Sequence, residues 1–164
     1  MYVPKEDREI DVIGWEKYFG RSEVESEKLT INIVEQAFSF GWPVIFHADL
    51  RKYSGVVNKI LRANPEHRLI IPHFGFSRRI MSKFMERFEY CYTDFSSLLP
   101  FMERTPQSYL DFITNYYKRI LFGTDTMLGD PSITSSYYKF INDLIPEDKI
   151  RKKVIYENYI SIHG

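Results

Sequence analysis

Cysteine is almost missing from the 164 residues: Cys91 stands alone, so an intrachain disulfide is excluded and the fold must be held by its core. Charge of one sign is not in excess, since Lys plus Arg and Asp plus Glu each total 22. A balanced chain carries no electrostatic footprint for nucleic acid or for an anionic membrane surface, which leaves a small-molecule substrate as the expected partner. No apolar stretch approaches the roughly 20 residues that span a bilayer. The opening "MYVPKEDREIDV" has no signal-like start, so the cytoplasm is the expected location. There are no internal repeats, low-complexity tracts or linker-like segments. A glycine-rich phosphate loop is also lacking. That counts against a phosphate-handling protein of flavodoxin-like topology, in which Ser96, Ser97 and Thr124 would carry the contacts.

What is present is ordinary globular composition, 44% hydrophobic, 27% charged and 16% aromatic, enough for one domain with a real core. Short runs rich in β-branched and aromatic residues recur at 43–46 (PVIF), 68–72 (RLIIP), 90–95 (YCYTDF) and 119–123 (RILFG). Each is followed by an amphipathic stretch. Val56, Val57, Ile60 and Leu61 share one helical face, and so do Ile80, Met81, Phe84, Met85 and Phe88. The stretches "PQSYLDFITNYYK" and "SITSSYYKFINDLI" open on Pro and Ser, residues that suit a helix start. "EKLTINIVEQAFSF" ends at Gly41, a C′ glycine, with Pro43 opening the next strand. Strands alternating with helices at this spacing are βα units, and the fold class is α/β with a mostly parallel sheet. Strands buried on both faces explain why the runs are continuously apolar.

Parallel α/β sheets present their chemistry at the C-terminal ends of the strands. There the sequence places His47, then His73, then Thr93, Asp94 and Ser96, then Thr124 and Asp125. Two imidazoles and a carboxylate converging on one rim suit Zn²⁺ or a similar first-row ion. Such an ion brings the pKa of a bound water down to about 7, and a neighbouring aspartate can orient or deprotonate that water. Plainer readings exist for each residue. A strand-end histidine can be a satisfied rim residue, Asp125 can cap the following helix, and Asp94 can cap its own loop.

The segments "GWPVIFH", "NPEHRLIIPHFG", "RILFGTD" and "IRKKVIYENYISI" occur in an order and spacing that resembles the amidohydrolase-related (amidohydrolase 2) family of metal-dependent TIM-barrel hydrolases and decarboxylases. They look like its fifth-strand histidine, its sixth-strand "NP…HxG" segment, its eighth-strand "GTD" and its terminal helix. The resemblance covers roughly residues 28–162. It implies that His47 ligates a divalent metal, zinc first. His73 would be a ligand or the residue holding water and substrate, and Asp125 both ligand and general base. Catalytic roles thus fall on His73 and Asp125, and metal ligation on His47, His73 and Asp125. Gly75 would let the backbone turn tightly after its strand, and Asn158 would dock the last helix.

The sequence also departs from that pattern. The family's first-strand His-x-His pair has no counterpart, because the histidines are His47, His67, His73 and His163. His67 is expected to face solvent. "TMLGDP" replaces the usual aromatic and proline after "GTD", and "HADL" replaces a histidine followed by a small residue and glycine, with Asp49 read as a helix cap or as a partner to a ligand rather than a ligand itself. A full barrel needs about 250 residues. The chain therefore reads as a partial (half) TIM barrel, roughly strands 4/5 to 8. Residues 1–27 form an N-terminal segment with a candidate strand around Ile10 and Val12 and an acidic candidate in Glu16, and residues 28–164 form the C-terminal half of the barrel. Its open edges would be covered by a complementing N-terminal half, by self-association, or by the N-terminal segment. The expected activity is metal-dependent hydrolysis of a small carbonyl, amide or ester substrate. The alternatives are a decarboxylase of the same family and a catalytically inactive fragment or binding module. With half the ligand set missing, the isolated chain is expected to bind zinc weakly.

Overall fold

The computed structural model of the chain describes residue 20 and residues 22–126 and 131–163. The candidate strand at Ile10 and Val12, and Glu16, lie outside them. So does most of the "TMLGDP" segment, residues 127–130.

The first described helix, α1 (Glu23–Ser39), starts at a capping box. The Ser22 hydroxyl accepts from the Glu25 amide, and the Glu25 carboxylate accepts from the Ser22 amide at 2.9 Å. It ends at Gly41, whose φ of 74° is the left-handed stop expected of a C′ glycine. The chain continues through β1 (Val44–Ile45), α2 (Leu50–Ala63), β2 (Leu69–Ile71), a tight turn (His73–Phe76), α3 (Arg78–Arg87) and β3 (Cys91–Asp94). It closes with α4 (Leu99–Arg104), α5 (Pro106–Tyr116), β4 (Ile120–Leu121), α6 (Ser132–Leu144), α7 (Asp148–Lys152), a π-helical turn (Lys153–Glu157) and α8 (Asn158–His163).

All strand pairs are parallel, and the spatial order is β1-β2-β3-β4. This order separates the two topologies weighed from the sequence. A flavodoxin-like sheet reverses its winding and shuffles strand order, whereas a barrel adds strands consecutively. With right-handed crossovers, consecutive order places every connecting helix on one face. The result is a partial TIM-barrel-like sheet with an outer, helix-covered face and an inner face.

The register shows which residues share each face. Ile45 pairs with Ile70, Ile70 with Tyr92, and Asp94 with Leu121, which sets Ile45, Ile70, Tyr92, Asp94 and Leu121 on the inner face. On the outer face Leu69, Ile71, Cys91 and Ile120 join the large core with Val57, Ile60 and Leu61 of α2, Met81 and Met85 of α3, and Ile113 of α5. The inner face carries a small cluster of Ile70, Leu121 and Ile162, with Tyr92 packed against it.

Burial on both faces, expected for every strand, therefore holds at Leu69–Ile71 and Ile120–Leu121 but fails elsewhere. Along Cys91–Asp94 burial alternates, and Ile45 is 65% exposed. The cause is α8. It crosses the inner face over β2 and β4, placing Ile162 on Ile70 and Leu121, and leaves the edge strand uncovered among the described residues. Arg68, at the start of β2, donates to the Ile162 carbonyl at 3.2 Å, which satisfies one of the orphan acceptors at the helix end. Asn158 docks this helix as expected: it is buried, and its amide donates to the carbonyls of Tyr117 (2.6 Å) and Ile120 (2.8 Å). No described helix is long and apolar enough to cross a membrane.

Candidate active site

Each strand delivers its polar residues to the C-terminal rim. After β1 come His47 and then Asp49, whose carboxylate accepts from the Arg51 amide at 2.9 Å and caps α2. The Arg51 guanidinium pairs with the same carboxylate at 2.7 Å and holds its pKa below the ordinary value. Asp49 is thus a cap, as one of its two readings had it.

After β2 the backbone turns left-handed. His73, Phe74, Gly75 and Phe76 have φ values of 57°, 51°, 57° and 60°. Gly75 is required there for space as well as conformation, since a Cβ would run into the Leu50 side chain. Ser97 (56°) and Asp125 (55°) complete the non-glycine residues at positive φ among those described. All five non-glycine positions sit at this rim, and such strain of about 1–2 kcal/mol per residue persists only where the surroundings impose it.

One carboxylate oxygen organises much of that rim. Asp94 Oδ1 accepts from the His73 amide (3.0 Å), the Ser96 amide (3.0 Å) and the Ser96 hydroxyl (2.6 Å), so Asp94 braces its own loop and the neighbouring turn together. His73 is 4% exposed, with Nδ1 at 2.8 Å from the Ser96 carbonyl oxygen and 2.9 Å from the Ser96 hydroxyl. Its Nε2 stands 4.0 Å from Asp125 Oδ2, which also accepts from the Ser97 hydroxyl at 2.5 Å. The His47 ring lies edge-on to His73 with centroids 5.1 Å apart, and Phe76 packs against both rings at 5.4 Å.

These groups line a cleft of about 390 Å³ that opens on the inner face. A cleft of about 520 Å³ lies elsewhere, among Met85, Glu86, Tyr90 and Arg119. The Arg119 guanidinium there is already taken up by the carbonyls of Met85, Phe88 and Glu89, and the strand ends that carry chemistry in parallel sheets are on the other side. The smaller cleft is the candidate site.

The structure thus brings His47, His73 and Asp125 to one cleft. Asp125 does not cap α6, which begins beyond Pro131 without a side-chain cap. The structure also adds Tyr159 and His163 of α8 to the lining. The sequence gives His163 no role of its own; helical spacing puts it one turn from Tyr159 but cannot say that α8 lies inside the sheet's curve. His67, expected in solvent, is half-buried with its ring 4.8 Å from that of Phe38 and its Nδ1 without a hydrogen-bond partner. The turn after α2, in which the His67 amide bonds the Asn64 carbonyl at 3.2 Å, folds the ring onto α1 instead of outward.

Among the described residues no group of three or more His, Cys, Asp or Glu is arranged to hold a metal ion. His73 Nε2 and Asp125 Oδ2 are 4.0 Å apart, wider than the about 3.4 Å between two ligands held at about 2.1 Å in a tetrahedral site. The donor types fit a divalent ion, but the described residues are not spaced as a three-ligand catalytic site.

The family model described as Amidohydrolase matches residues 15–158. No curated protein and no solved structure matches the chain. The match takes in β1 to β4, the rim residues His47, His73 and Asp125, and Asn158 at the start of the last helix, and with it the chain belongs to the amidohydrolase family.

Proposed function

We propose that this chain carries the water-activating part of an amidohydrolase-type hydrolase acting on a small carbonyl, ester or amide substrate. The observation that supports this most directly is the pairing of a buried imidazole with an exposed carboxylate across 4.0 Å in the inner-face cleft. Two acceptors at that spacing can share one water, each taking a hydrogen bond from it at about 2.8 Å. Asp125, 57% exposed and held by Ser97, then removes a proton as the water oxygen attacks the substrate carbonyl. The buried His73 holds the nucleophile in place.

Members of this family generally use a divalent metal, which would supply Lewis-acid polarisation and a more acidic water. In this chain His47, His73 and Asp125 are the residues that would hold it, zinc first. The described residues do not close a three-ligand site, and the isolated chain is expected to bind zinc weakly and below one equivalent. Completion of the site would fall to a complementing half, to a second copy or to the chain's own N-terminal segment. The same observation favours a second reading, a fold-retaining binding module that does not turn over substrate by itself.

Zinc titration of the chelator-treated protein, together with hydrolysis of a p-nitrophenyl ester in excess zinc, tests this. The expected outcome is weak binding that falls at least about tenfold in His73→Ala or Asp125→Asn, matching the loss of about 1.4 kcal/mol or more, and slow ester hydrolysis that Asp125→Asn abolishes. Zinc held without hydrolysis favours the binding module. Tight one-to-one zinc with activity lost in Asp125→Asn would overturn the view that the site is incomplete. Stoichiometric zinc indifferent to His47→Ala would sink the residue assignment.

A further inference from the structure

We infer that Asp94 and Ser96 are positioning residues that fix His73 as the tautomer protonated on Nδ1 and turn the Nε2 lone pair toward Asp125. A carbonyl oxygen can only accept, so at 2.8 Å from the Ser96 carbonyl, Nδ1 must be the donor. The Ser96 hydroxyl, at 2.9 Å, could in principle donate to the same nitrogen and favour the opposite tautomer. Asp94 removes that option. Its Oδ1, 2.6 Å away, takes the hydroxyl proton, and the Ser96 oxygen is left with lone pairs that can only accept from Nδ1–H. The order of donation therefore runs from His73 Nδ1–H to both Ser96 oxygens, and from the Ser96 hydroxyl to Asp94. The same carboxylate oxygen also receives the His73 amide, so one group sets the left-handed turn and the ring's proton.

The consequence lies on the other side of the ring. With Nε2 unprotonated, His73 and Asp125 Oδ2 are two acceptors facing each other across 4.0 Å, beyond direct hydrogen-bond reach of about 3.2 Å. They are open to a donor such as water. In the opposite tautomer Nε2–H would be a donor facing Asp125, and the cleft would no longer offer one water two acceptors. Asp94 and Ser96 thus decide whether the cleft presents two acceptors to a water or one donor and one acceptor. The catalytic importance of this choice rests on the hydrolase reading above, whereas the tautomer does not.

The test is long-range ¹H–¹⁵N correlation of the imidazole nitrogens in the full chain, without metal. It is run on the neutral ring, which the ¹⁵N shifts themselves distinguish from the doubly protonated one. His73 is assigned by the signals lost in His73→Asn. The Nδ1–H form should exceed the Nε2–H form by about tenfold, the ratio a net hydrogen bond of ordinary strength sustains. Asp94→Asn, which frees the Ser96 hydroxyl to donate to Nδ1, should lower that ratio at least about fivefold; Ser96→Ala, which keeps the carbonyl at 2.8 Å, should lower it less, and Ser96→Thr, which keeps the hydroxyl, should leave it near the wild-type value. A wild-type ring found mainly as Nε2–H overturns the inference. A ratio unmoved in both Ser96→Ala and Asp94→Asn overturns the role of the two side chains. Neither activity nor zinc enters the readout, so failure here and failure of the hydrolase reading are told apart.

Discussion

The two faces of one sheet do different work. On the outer face, Leu69, Ile71, Cys91 and Ile120 are covered completely or nearly so by the packed helices. On the inner face, α8 puts Ile162 over Ile70 and Leu121 and leaves Ile45 largely open, and the gap beside it is the cleft that holds His47, His73 and Asp125. A saturated apolar face stabilises but offers no room, whereas a partly covered face gives up burial and keeps a concave, partly apolar space with a few polar groups. The difference can be broken from either side.

The largest expected effect is on the outer face. Ile71 is fully buried at the centre of the sheet, so Ile71→Ala removes three carbons and leaves a cavity in close-packed surroundings. A loss of about 3–4 kcal/mol is expected, read as a lower urea midpoint at unchanged slope. A loss below about 1 kcal/mol would mean that this face is not the main core.

Next is the docking of α8 itself. Asn158→Ala would leave the carbonyls of Tyr117 and Ile120 without their amide donor in a buried setting, at a cost of about 2–3 kcal/mol. The effect should appear as local opening, with faster amide exchange in α8 before the sheet loosens. Exchange that rises uniformly across the molecule would contradict a separate inner layer.

Much of this contrast was legible in the sequence, and the unreadable part has a physical cause. The runs at 43–46, 68–72, 90–95 and 119–123 announce the four strands because β-branched and aromatic residues sit well on a pleated surface, and all four observed strands fall inside them. His47, His73 and Asp125 were found by asking what stands at strand ends, a rule that needs only strand order. Asn158 was legible as a helix-docking residue. Which face α8 covers was not, because the periodicity that makes Ile162 apolar says that it packs and not against what. The uniform burial expected of the strands failed for the same reason. The Asp94–Ser96–His73 arrangement was hidden more deeply still, since it depends on a left-handed turn at His73 and Phe74, where no glycine announces positive φ.

Ile162→Ala sharpens the comparison at smaller scale. Its partners form a three-residue cluster with Tyr92 alongside, and the cleft beside it lets neighbours relax into the space. A loss of about 1–2 kcal/mol is expected, well below that of Ile71→Ala, because the cost of truncation grows with the cavity that cannot collapse. Equal losses at the two positions would erase the distinction between the faces.

The smallest effect tests the outer face chemically. Cys91 is fully buried there, and burial pushes its thiol up to about 12, so at pH 8.5 it holds almost no thiolate. Labelling by a thiol reagent in the native state should follow the rate of opening rather than reagent concentration, and should become rapid only in urea. The same burial sets an alkaline limit. The thiol's folded pKa is raised above its ordinary 9.0, and that of the Tyr137 hydroxyl is raised from 10.0 to about 12. The folded state therefore keeps protons that the unfolded chain releases, so their contribution is intact below pH 9 and is lost as pH rises toward 12. Thermal melts from pH 8 to 11.5 should fall progressively above pH 9, with a shallower fall in Cys91→Ala. A Cys91→Ala curve parallel to wild type would show that the outer-face thiol does not contribute to the alkaline loss.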